Sequence, residues 1–269
     1  MSATAATGTA PHGPGLVIDR LSVAYGGNKA VSDISLSAPR GRVTGLIGPN
    51  GAGKTTTFNA CSGFVRPTSG RVQLLGTDVT RISPAGRAQR GLGRTFQRME
   101  VVNAMSVRVN VALAAECLSV GSNPWRQIFA GNAQRKAIAR ATEDALELCA
   151  ISDLADRPVG TLSTGQRRLV ELARVQAAGF PMLLLDEPSS GLDEDETTRF
   201  GEILLRLVAQ RGVGILLVEH DMALIMSVCD YIYVLDFGRL IFEGTPAQVQ
   251  ASPLVRAAYL GQETEELSA

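Results

Sequence analysis

The sequence predicts an α/β fold in which a parallel sheet carries a glycine-rich loop, follows an antiparallel β-subdomain and is interrupted by an inserted α-helical subdomain. The apolar residues 43–47 lead directly into the glycine-rich residues 48–56, and helix-compatible sequence follows them. Residues 181–185 and 213–218 are short apolar runs, typical of central parallel strands covered on both faces. Residues 104–151 contain no strand pattern and favour helices.

The elements before the loop favour antiparallel pairing. Residues 1–14 contain little apolar bulk, so we expect a disordered tail. Residues 16–19, 21–25 and 31–36 read as strands, with turn residues at 26–28. After the helix that follows the loop, residues 71–76 predict another strand.

The elements after the helical block return to an α/β pattern. An amphipathic helix is expected over residues 195–210, a hairpin over residues 232–235 and 240–243, and a closing helix over residues 246–260. A short acidic tail, residues 263–269, completes the chain.

The domain division follows from these patterns. We expect residues 15–95 and 166–262 to form one core, and residues 96–165 to form the inserted helical subdomain. The length of 269 residues suits such a core with an insertion.

The composition excludes several classes of function. Lys and Arg number 26, as do Asp and Glu, so the net charge of zero gives no reason to expect binding to nucleic acid or anionic lipid. With only two histidines, a histidine-rich metal site is excluded. The four cysteines form no C-x-x-C pair and follow no secretory signal, which indicates reduced thiols in a cytosolic protein. No apolar run reaches the roughly 20 residues that cross a bilayer, so any membrane role is expected to come through a partner.

An arginine-rich segment leaves two interpretations open. Its arginines either form a solvated basic face or form a contact surface for phosphate or a partner. They are Arg81, Arg87, Arg90, Arg94 and Arg98.

The glycine-rich loop fits the pattern G-x-x-x-x-G-K-[ST], which predicts nucleotide binding. Glycines let backbone N–H groups curl around phosphate oxygens, and the helix N-terminus adds positive potential. Lys54 is expected to reach the β- and γ-phosphates of ATP, Thr55 to offer its hydroxyl to Mg²⁺, and Thr56 to touch the phosphates. The alternative, a glycine-rich turn with a surface lysine, is disfavoured by the strand before the loop and the helix after it. The predicted nucleotide-binding residues of the loop are Gly48, Pro49, Asn50, Gly51, Ala52, Gly53, Lys54, Thr55 and Thr56.

Two adjacent carboxylates follow the apolar strand at residues 182–185. Ligands of parallel sheets collect at the carboxyl ends of the strands, so Asp186 is expected to hold Mg²⁺, directly or through water. On an extended chain Glu187 points the other way and is free to act as general base toward the attacking water. The alternative is an acidic helix cap, which the complete phosphate loop upstream disfavours.

On these motifs the chain resembles the ATPase subunits of ATP-binding cassette (ABC) transporters, over nearly all of residues 16–261. Residues 162–166 read Leu-Ser-Thr-Gly-Gln and resemble the family's signature sequence, with Thr164 where glycine is usual. Ser163 also suits the cap of the helix that follows, and such a helix end attracts anions.

The resemblance implies a shared reaction centre. Ser163 and Gly165, with Gln166 in the same segment, would contact ATP held by a second ABC ATPase, identical or related, so that two subunits sandwich two nucleotides. Asp193, in the segment Gly-Leu-Asp, resembles the end of the loop that touches the opposing subunit.

Three further roles are carried over from the family one residue at a time. Tyr25 resembles the aromatic residue that stacks on adenine, and its alternative is a core strand tyrosine. Gln97 resembles the glutamine that senses Mg²⁺ and the attacking water and links to the membrane partner. His220 resembles the histidine that contacts the γ-phosphate, and its alternative is a satisfied core histidine. Catalysis is thus expected from Glu187, His220 and Gln97, and metal binding from Thr55, Gln97 and Asp186.

The resemblance narrows to the branch that serves branched-chain amino-acid uptake. Residues 93–97, 218–222 and 254–261 carry this likeness, together with the long helical insert. It implies an ATPase that uses ATP and Mg²⁺ at the cytoplasmic face of the cell membrane, where it binds two permease subunits and, indirectly, a substrate-binding protein. Related branches move other amino acids or amides.

Three alternatives remain on the sequence alone. They are the ATPase of a lipopolysaccharide exporter, a soluble ABC ATPase of translation or DNA repair, and a regulatory subunit with little hydrolysis. The soluble class usually carries two cassettes or long coiled-coil or zinc inserts, none of which this sequence shows. The complete set of expected catalytic residues argues against the regulatory subunit.

Overall fold

The computed structural model describes residues 13–95, 101–120 and 131–266. The predictions made for residues 1–12, Gln97, Arg98 and residues 267–269 lie outside these ranges. No helix within the described ranges is both long and apolar enough to span a bilayer.

Ten strands and nine α-helices are found in the described ranges. The strands are β1 (Leu16–Tyr25), β2 (Asn28–Ala38), β3 (Val43–Ile47), β4 (Ser69–Leu74), β5 (Thr77–Asp78), β6 (Leu92–Arg94), β7 (Met182–Asp186), β8 (Gly214–Val218), β9 (Tyr231–Asp236) and β10 (Arg239–Gly244). The helices are α1 (Lys54–Ser62), α2 (Pro84–Ala88), α3 (Val107–Val120), α4 (Asn132–Leu148), α5 (Thr164–Ala177), α6 (Glu194–Arg211), α7 (Met222–Val228), α8 (Pro246–Ala251) and α9 (Pro253–Glu266).

The strands form two sheets, which confirms the α/β class and the antiparallel β-subdomain. The smaller sheet has the order β2-β1-β4-β5, and its pairs are antiparallel. The larger sheet has the order β10-β9-β3-β8-β7-β6, with every pair parallel except β10 with β9. Strands β3, β7 and β8 are buried along their whole length, as their uninterrupted apolar sequences predict. Their carboxyl ends deliver the glycine-rich loop and both candidate acidic and histidine segments to one edge of this sheet.

Two hydrophobic clusters cover the two faces of the larger sheet. One cluster includes Leu184 and Leu216 of this sheet and Phe58 of α1, together with the side chains of the smaller sheet. The other includes Leu183 and Leu172 and also the buried residues of α3 and α4. Neighbouring residues of β7 therefore enter opposite clusters, as the two-residue period of a strand requires. Because α5 packs against α3 and α4 and also shares this second cluster with the sheet, the expected division into core and inserted subdomain stays a prediction.

The C-terminal region differs from the single closing helix that the sequence predicts. It consists of two helices, α8 and α9, separated at Ser252, whose backbone is extended. The ring of Pro253 disfavours a helical conformation of the residue before it, which explains the break. Helix α9 also continues to Glu266, beyond the expected start of the tail at residue 263.

Arg87 contradicts both interpretations of the arginine segment. Its side chain is only 1% exposed. The guanidinium donates to the carbonyl oxygens of Ala60 and Cys61, each at 2.6 Å, and to those of Ile82 and Thr80, each at 3.1 Å. Arg87 is therefore neither solvated nor a contact surface, because its donors satisfy the carbonyl groups at the end of α1 and in the turn before α2.

Candidate active site

The loop between β3 and α1 is held close to its neighbours by glycines. Gly48 and Gly53 have φ angles of 150° and 94°, in the region that side chains disfavour. A Cβ atom on Gly48 would collide with the carbonyl oxygen of Leu235 in β9. A Cβ on Gly53 would lie 2.8 Å from the carbonyl oxygen of Ala30 in β2. The loop therefore needs glycine both for its backbone conformation and for its contact with the two sheets.

Lys54 is the first residue of α1 and is nearly buried, at 6% exposure. Its Nζ atom donates to the carbonyl oxygens of Gly48 at 2.5 Å and Pro49 at 2.9 Å. Burial lowers the pKa of Lys54, and the nearby carboxylates of Glu187 and Asp186 act in the opposite direction. The ammonium group thus lies between the loop backbone and the two acidic residues at the end of β7.

One pocket unites the loop with the acidic and histidine segments. Residues 50–56, Glu187, His220 and Ala30 line it. The loop supplies backbone N–H groups and the N-terminus of α1, which suit phosphate. Glu187 and His220 supply a carboxylate and an imidazole at the same place. This pocket therefore combines a phosphate-binding surface with groups that can move a proton.

Glu187 does not continue the extended chain that the sequence predicts. Its φ angle is +49°, in the left-handed region, and its N–H donates to the carbonyl oxygen of Val218 at 2.8 Å. The expectation that an extended backbone directs this side chain is therefore wrong. A sharp turn directs it instead, and such strained backbone is typical of functional sites. Oε1 of Glu187 lies 2.6 Å from Nε2 of His220, whose side chain is about half exposed. The interpretation of His220 as a core histidine is therefore wrong.

Asp186 ends strand β7 and is only 2% exposed. Its Oδ2 atom lies 3.5 Å from Nη2 of Arg94, while Oδ1 has no hydrogen-bond partner within the described residues. Burial raises the pKa of Asp186, and the positive charge of Arg94 lowers it in part. A buried carboxylate oxygen without a partner is rare and suits a hard cation such as Mg²⁺, which prefers oxygen ligands.

Sequence reasoning missed the function of Arg94 inside the protein. Besides Asp186, its guanidinium contacts Asn59 Oδ1 at 2.8 Å and Ser62 Oγ at 2.6 Å. It also lies over the ring of Phe58, 4.7 Å from the ring centroid. Arg94 therefore connects the end of β7 to helix α1. The sequence signal was weak, because one arginine among five does not show which side chain faces inward.

Tyr25 lies at the end of β1, opposite Asn28 in the antiparallel pair, and is 52% exposed. The interpretation as a core strand tyrosine is therefore wrong. An aromatic face open to solvent is available for stacking on a planar ligand.

The signature-like segment begins helix α5 at a different place from the pocket. Ser163 Oγ accepts from the N–H of Gln166 at 3.2 Å, and Gln166 Oε1 accepts from the N–H of Ser163 at 3.1 Å. This capping box confirms the expected helix cap. Among the described residues that line the pocket, none belongs to this segment.

A second capping box begins α6, next to the signature-like segment. Asp193 Oδ1 accepts from the N–H of Glu196 at 2.7 Å, and Glu196 Oε2 accepts from the N–H of Asp193 at 3.3 Å. A Cβ on Gly165 would collide with the carboxylate of Glu196, and a Cβ on Gly191 would lie 3.4 Å from Thr164 Cγ2. The N-termini of α5 and α6 therefore meet, with Ser163 and Asp193 in capping positions.

A contact from the C-terminal helix was also missed. Tyr259 in α9 is packed against the second hydrophobic cluster. Burial raises the pKa of its hydroxyl to about 12, and a hydrogen bond with the backbone of Gly48 lowers it in part. Helix α9 thus contacts the first glycine of the loop. No local sequence pattern predicts such a long-range contact.

Sequence comparison, together with the geometry of the pocket, assigns this chain to a protein family. A family described as "ABC transporter" matches residues 31–190, which include the loop, the signature-like segment and the two acidic residues Asp186 and Glu187. The chain belongs to the ABC transporter family. It is an ATP-binding subunit that hydrolyses ATP in support of transport. A second family, "Branched-chain amino acid ATP-binding cassette transporter", matches residues 239–265 of this ABC ATPase.

Three similar proteins span nearly the whole ABC ATPase. BraF of Pseudomonas aeruginosa, a "high-affinity branched-chain amino acid transport ATP-binding protein", is 36% identical over 93% of this chain and 98% of its own. LptB of Haemophilus influenzae, a "lipopolysaccharide export system ATP-binding protein", is 34% identical over 92% of this chain and 98% of its own. The crystal structure of the ADP conformation of MJ1267, an ATP-binding cassette of an ABC transporter, is 31% identical with a TM-score of 0.80, over 92% of this chain and 99% of that one.

Proposed function

We propose that this ABC ATPase powers the import of branched-chain amino acids or of related amino acids or amides. The observation that carries the proposal is the match of residues 239–265 to the branched-chain family, because this region includes all but the last residue of α9 and lies outside the general nucleotide-binding motifs. The likeness to BraF over nearly the whole chain supports the same conclusion.

In the proposed reaction, Glu187 accepts the proton of the water that attacks the γ-phosphate. His220 is within hydrogen-bond distance of this carboxylate and orients it toward the same phosphate. Lys54 and the loop N–H groups position the phosphates. Positioning and charge neutralisation dominate phosphoryl transfer, and the lined pocket offers both.

Magnesium is proposed as the cofactor of ATP. Thr55 and Asp186 would hold it, with Gln97 completing the set, and the unpartnered Oδ1 of Asp186 supports this assignment. When bound, Mg²⁺ would neutralise the negative charge of the β- and γ-phosphates.

The proposed working unit contains two ATPases. The pocket holds the loop, Glu187 and His220, whereas the capped N-terminus of α5 at Ser163, an anion-attracting surface, lies elsewhere on the same chain. A second copy, or a related ATPase, would bring Ser163, Gly165 and Gln166 to the nucleotide, with Asp193 at the contact between the subunits. Tyr25 would stack on adenine.

The proposed membrane partners are two permease subunits, contacted at the cytoplasmic face of the membrane, with a substrate-binding protein acting through them. Four apolar side chains just before α3 and in its first half are exposed, and exposed apolar groups of this kind mark interaction sites. They are Val102, Met105, Val109 and Leu113. No role in nucleic-acid binding is proposed.

Reconstitution with two permease subunits of the proposed transporter tests the cargo. In proteoliposomes we expect ATP hydrolysis to rise when the binding protein is loaded with leucine, isoleucine or valine, and to remain at its basal rate with unrelated sugars. Stimulation by none of the amino acids or amides would reject the proposed import function.

A second candidate is export of a lipopolysaccharide-type lipid, which the 34% identity to LptB favours. Stimulation of the same reconstituted complex by lipid, without any binding protein, would support export. A purified protein that hydrolyses ATP alone and binds ribosomes or DNA in a salt-sensitive manner would instead favour the soluble class.

A further inference from the structure

Glu219 is a buried acidic residue for which the proposed reaction provides no role. It follows β8 and precedes His220, and it is 3% exposed. Buried carboxylates are uncommon and need hydrogen-bond partners, because an unpaired buried charge is strongly unfavourable.

The carboxylate of Glu219 joins two neighbouring loops. Its Oε1 atom accepts from the N–H of Ser189 at 2.7 Å, and its Oε2 atom accepts from the N–H of His220 at 3.1 Å. Ser189 belongs to the loop after β7, two residues beyond Glu187. One carboxylate therefore fixes one backbone group beside the general base and another backbone group at the histidine.

Backbone hydrogen bonds within the loop after β7 connect Ser189, which Glu219 holds, to Glu187. The N–H of Glu187 donates to Val218, the residue before Glu219, and the N–H of Ser190 donates to Glu187 at 3.2 Å. The N–H of Leu192 donates to the carbonyl oxygen of Ser189 at 3.0 Å. The loop is thus fixed to the end of β8 at two points, by a backbone bond at Glu187 itself and by the Glu219 side chain at Ser189, two residues later.

We propose that Glu219 is a positioning residue that keeps Glu187 and His220 at their hydrogen-bonding separation. This inference rests on the proposed roles of Glu187 and His220 in hydrolysis. Hydrogen bonds to an ionised acceptor are stronger and shorter than neutral ones, which suits a carboxylate that accepts from the backbone N–H groups of Ser189 and His220. Burial raises the pKa of Glu219, and hydrogen bonds from Ser189, His220 and Asp221 lower it in part. Glu219 itself is absent from the residues that line the pocket, so it acts through its two neighbours.

The variant Glu219→Gln tests the proposal with little change in shape. Its amide keeps one acceptor oxygen and places an NH₂ group against one of the two N–H donors, so one bond is lost. We expect kcat for ATP to fall by about tenfold to a hundredfold, with KM changed less than about twofold, because small misplacements of catalytic groups carry penalties of this size. Glu202→Gln, at an exposed position of α6, is the matched control and should leave both constants unchanged.

Hydrogen exchange of the nucleotide-free protein gives a readout that does not depend on activity. In Glu219→Gln we expect the amides of Ser189 and His220 to exchange about tenfold faster than in the wild type, while the amides of β7 and β8 keep their protection. Unchanged kcat together with unchanged hydrogen exchange in Glu219→Gln would overturn the proposal. A loss of kcat that accompanies a lower melting temperature of the whole protein would overturn it as well.

A second variant covers failure of the first to fold. Glu219→Asp keeps the charge but is one methylene shorter, so it reaches at most one of the two donors, and the same split between kcat and KM is expected. If the wild-type protein shows no ATPase activity with any permease, the proposed function fails. The hydrogen-exchange result then shows separately whether Glu219 fixes the two loops.

Discussion

Nε2 of His220 lies 2.6 Å from Oε1 of Glu187, although 33 residues separate them in the sequence. The contact exists because β7 and β8 are parallel neighbours, so their carboxyl ends lie side by side. Each residue is the first or second after its strand, which places both over the pocket. The pair can hold and direct a proton next to the phosphate-binding loop.

Replacing Glu187 by Gln should preserve ATP binding and nearly abolish turnover. The amide retains the shape of the carboxylate but cannot accept a proton, and loss of a general base lowers rates by about 10²- to 10⁴-fold. Phosphate release measures turnover, and a fluorescent ATP analogue measures binding. Normal hydrolysis by this variant would show that the base is assigned wrongly.

His220→Ala should also lower kcat, and its effect should not multiply with that of Glu187→Gln. Residues that act as one unit show strongly non-additive losses, because the second change removes a group that has already lost its partner. The measurement is the double-mutant cycle on kcat. Losses that multiply would mean that the 2.6 Å contact has no part in the reaction.

Tyr25→Ala should weaken ATP binding by about tenfold, because stacking of a base on an aromatic ring contributes about 1–3 kcal/mol. Tyr25→Phe keeps the ring and should bind ATP normally. Inorganic triphosphate has no base, so its affinity should be the same in all three proteins. Equal loss of affinity for ATP and triphosphate would indicate a general distortion of the loop instead of lost stacking.

Arg87→Ala should destabilise the fold by about 3 kcal/mol or more, because it leaves several buried carbonyl oxygens without donors. Arg90→Ala provides the control three residues away, where the side chain is exposed and the expected change is within about 0.5 kcal/mol. Urea denaturation at equilibrium measures both changes. Similar stabilities of the two variants would contradict the buried anchoring of Arg87.

The buried thiols predict a loss of stability at alkaline pH. Burial raises the pKa of Cys61, Cys149 and Cys229 from the ordinary 9.0 to about 12. The folded state thus keeps these protons while the unfolded chain loses them. Their contribution to stability is full below pH 9.0 and is lost as the pH rises toward about 12.

Urea unfolding measured from pH 8 to pH 10.5 checks this sign, with a variant carrying alanine at the three positions as control. The control should show a smaller decline over this range. In a Cys117→Ser background, the three thiols should react with a thiol reagent only when the protein is unfolded. Rapid labelling of the native protein would contradict the raised pKa values.

The parts of the site that the sequence predicts correctly are those with local signals. The strand, loop and helix around Lys54 share one continuous segment, and Ser163 with Gln166 forms a capping box within four residues. The sequence predicts the correct strand end for Glu187 but not its backbone conformation, since a left-handed conformation at a non-glycine residue leaves no sign in the sequence.

The parts that the sequence did not predict depend on distant contacts. Arg87 and Arg94 have the same residue type as their exposed neighbours, and only the packing of α1 against the sheets shows that they face inward. The contact of Tyr259 with Gly48 joins residues that lie far apart in the sequence, so no sequence periodicity predicts it.

Helix α1 has one further consequence. Its nine residues lie between Gly53 and Gly63, which both have a left-handed backbone conformation. Arg87 donates hydrogen bonds to the last turn of the helix. Arg87 holds the C-terminal end of α1, whose N-terminal end can pivot at Gly53. The helix therefore transmits a displacement as one rigid element. Any movement of the phosphate loop after product release should therefore be transmitted along α1 to Arg94 and the segment that follows it.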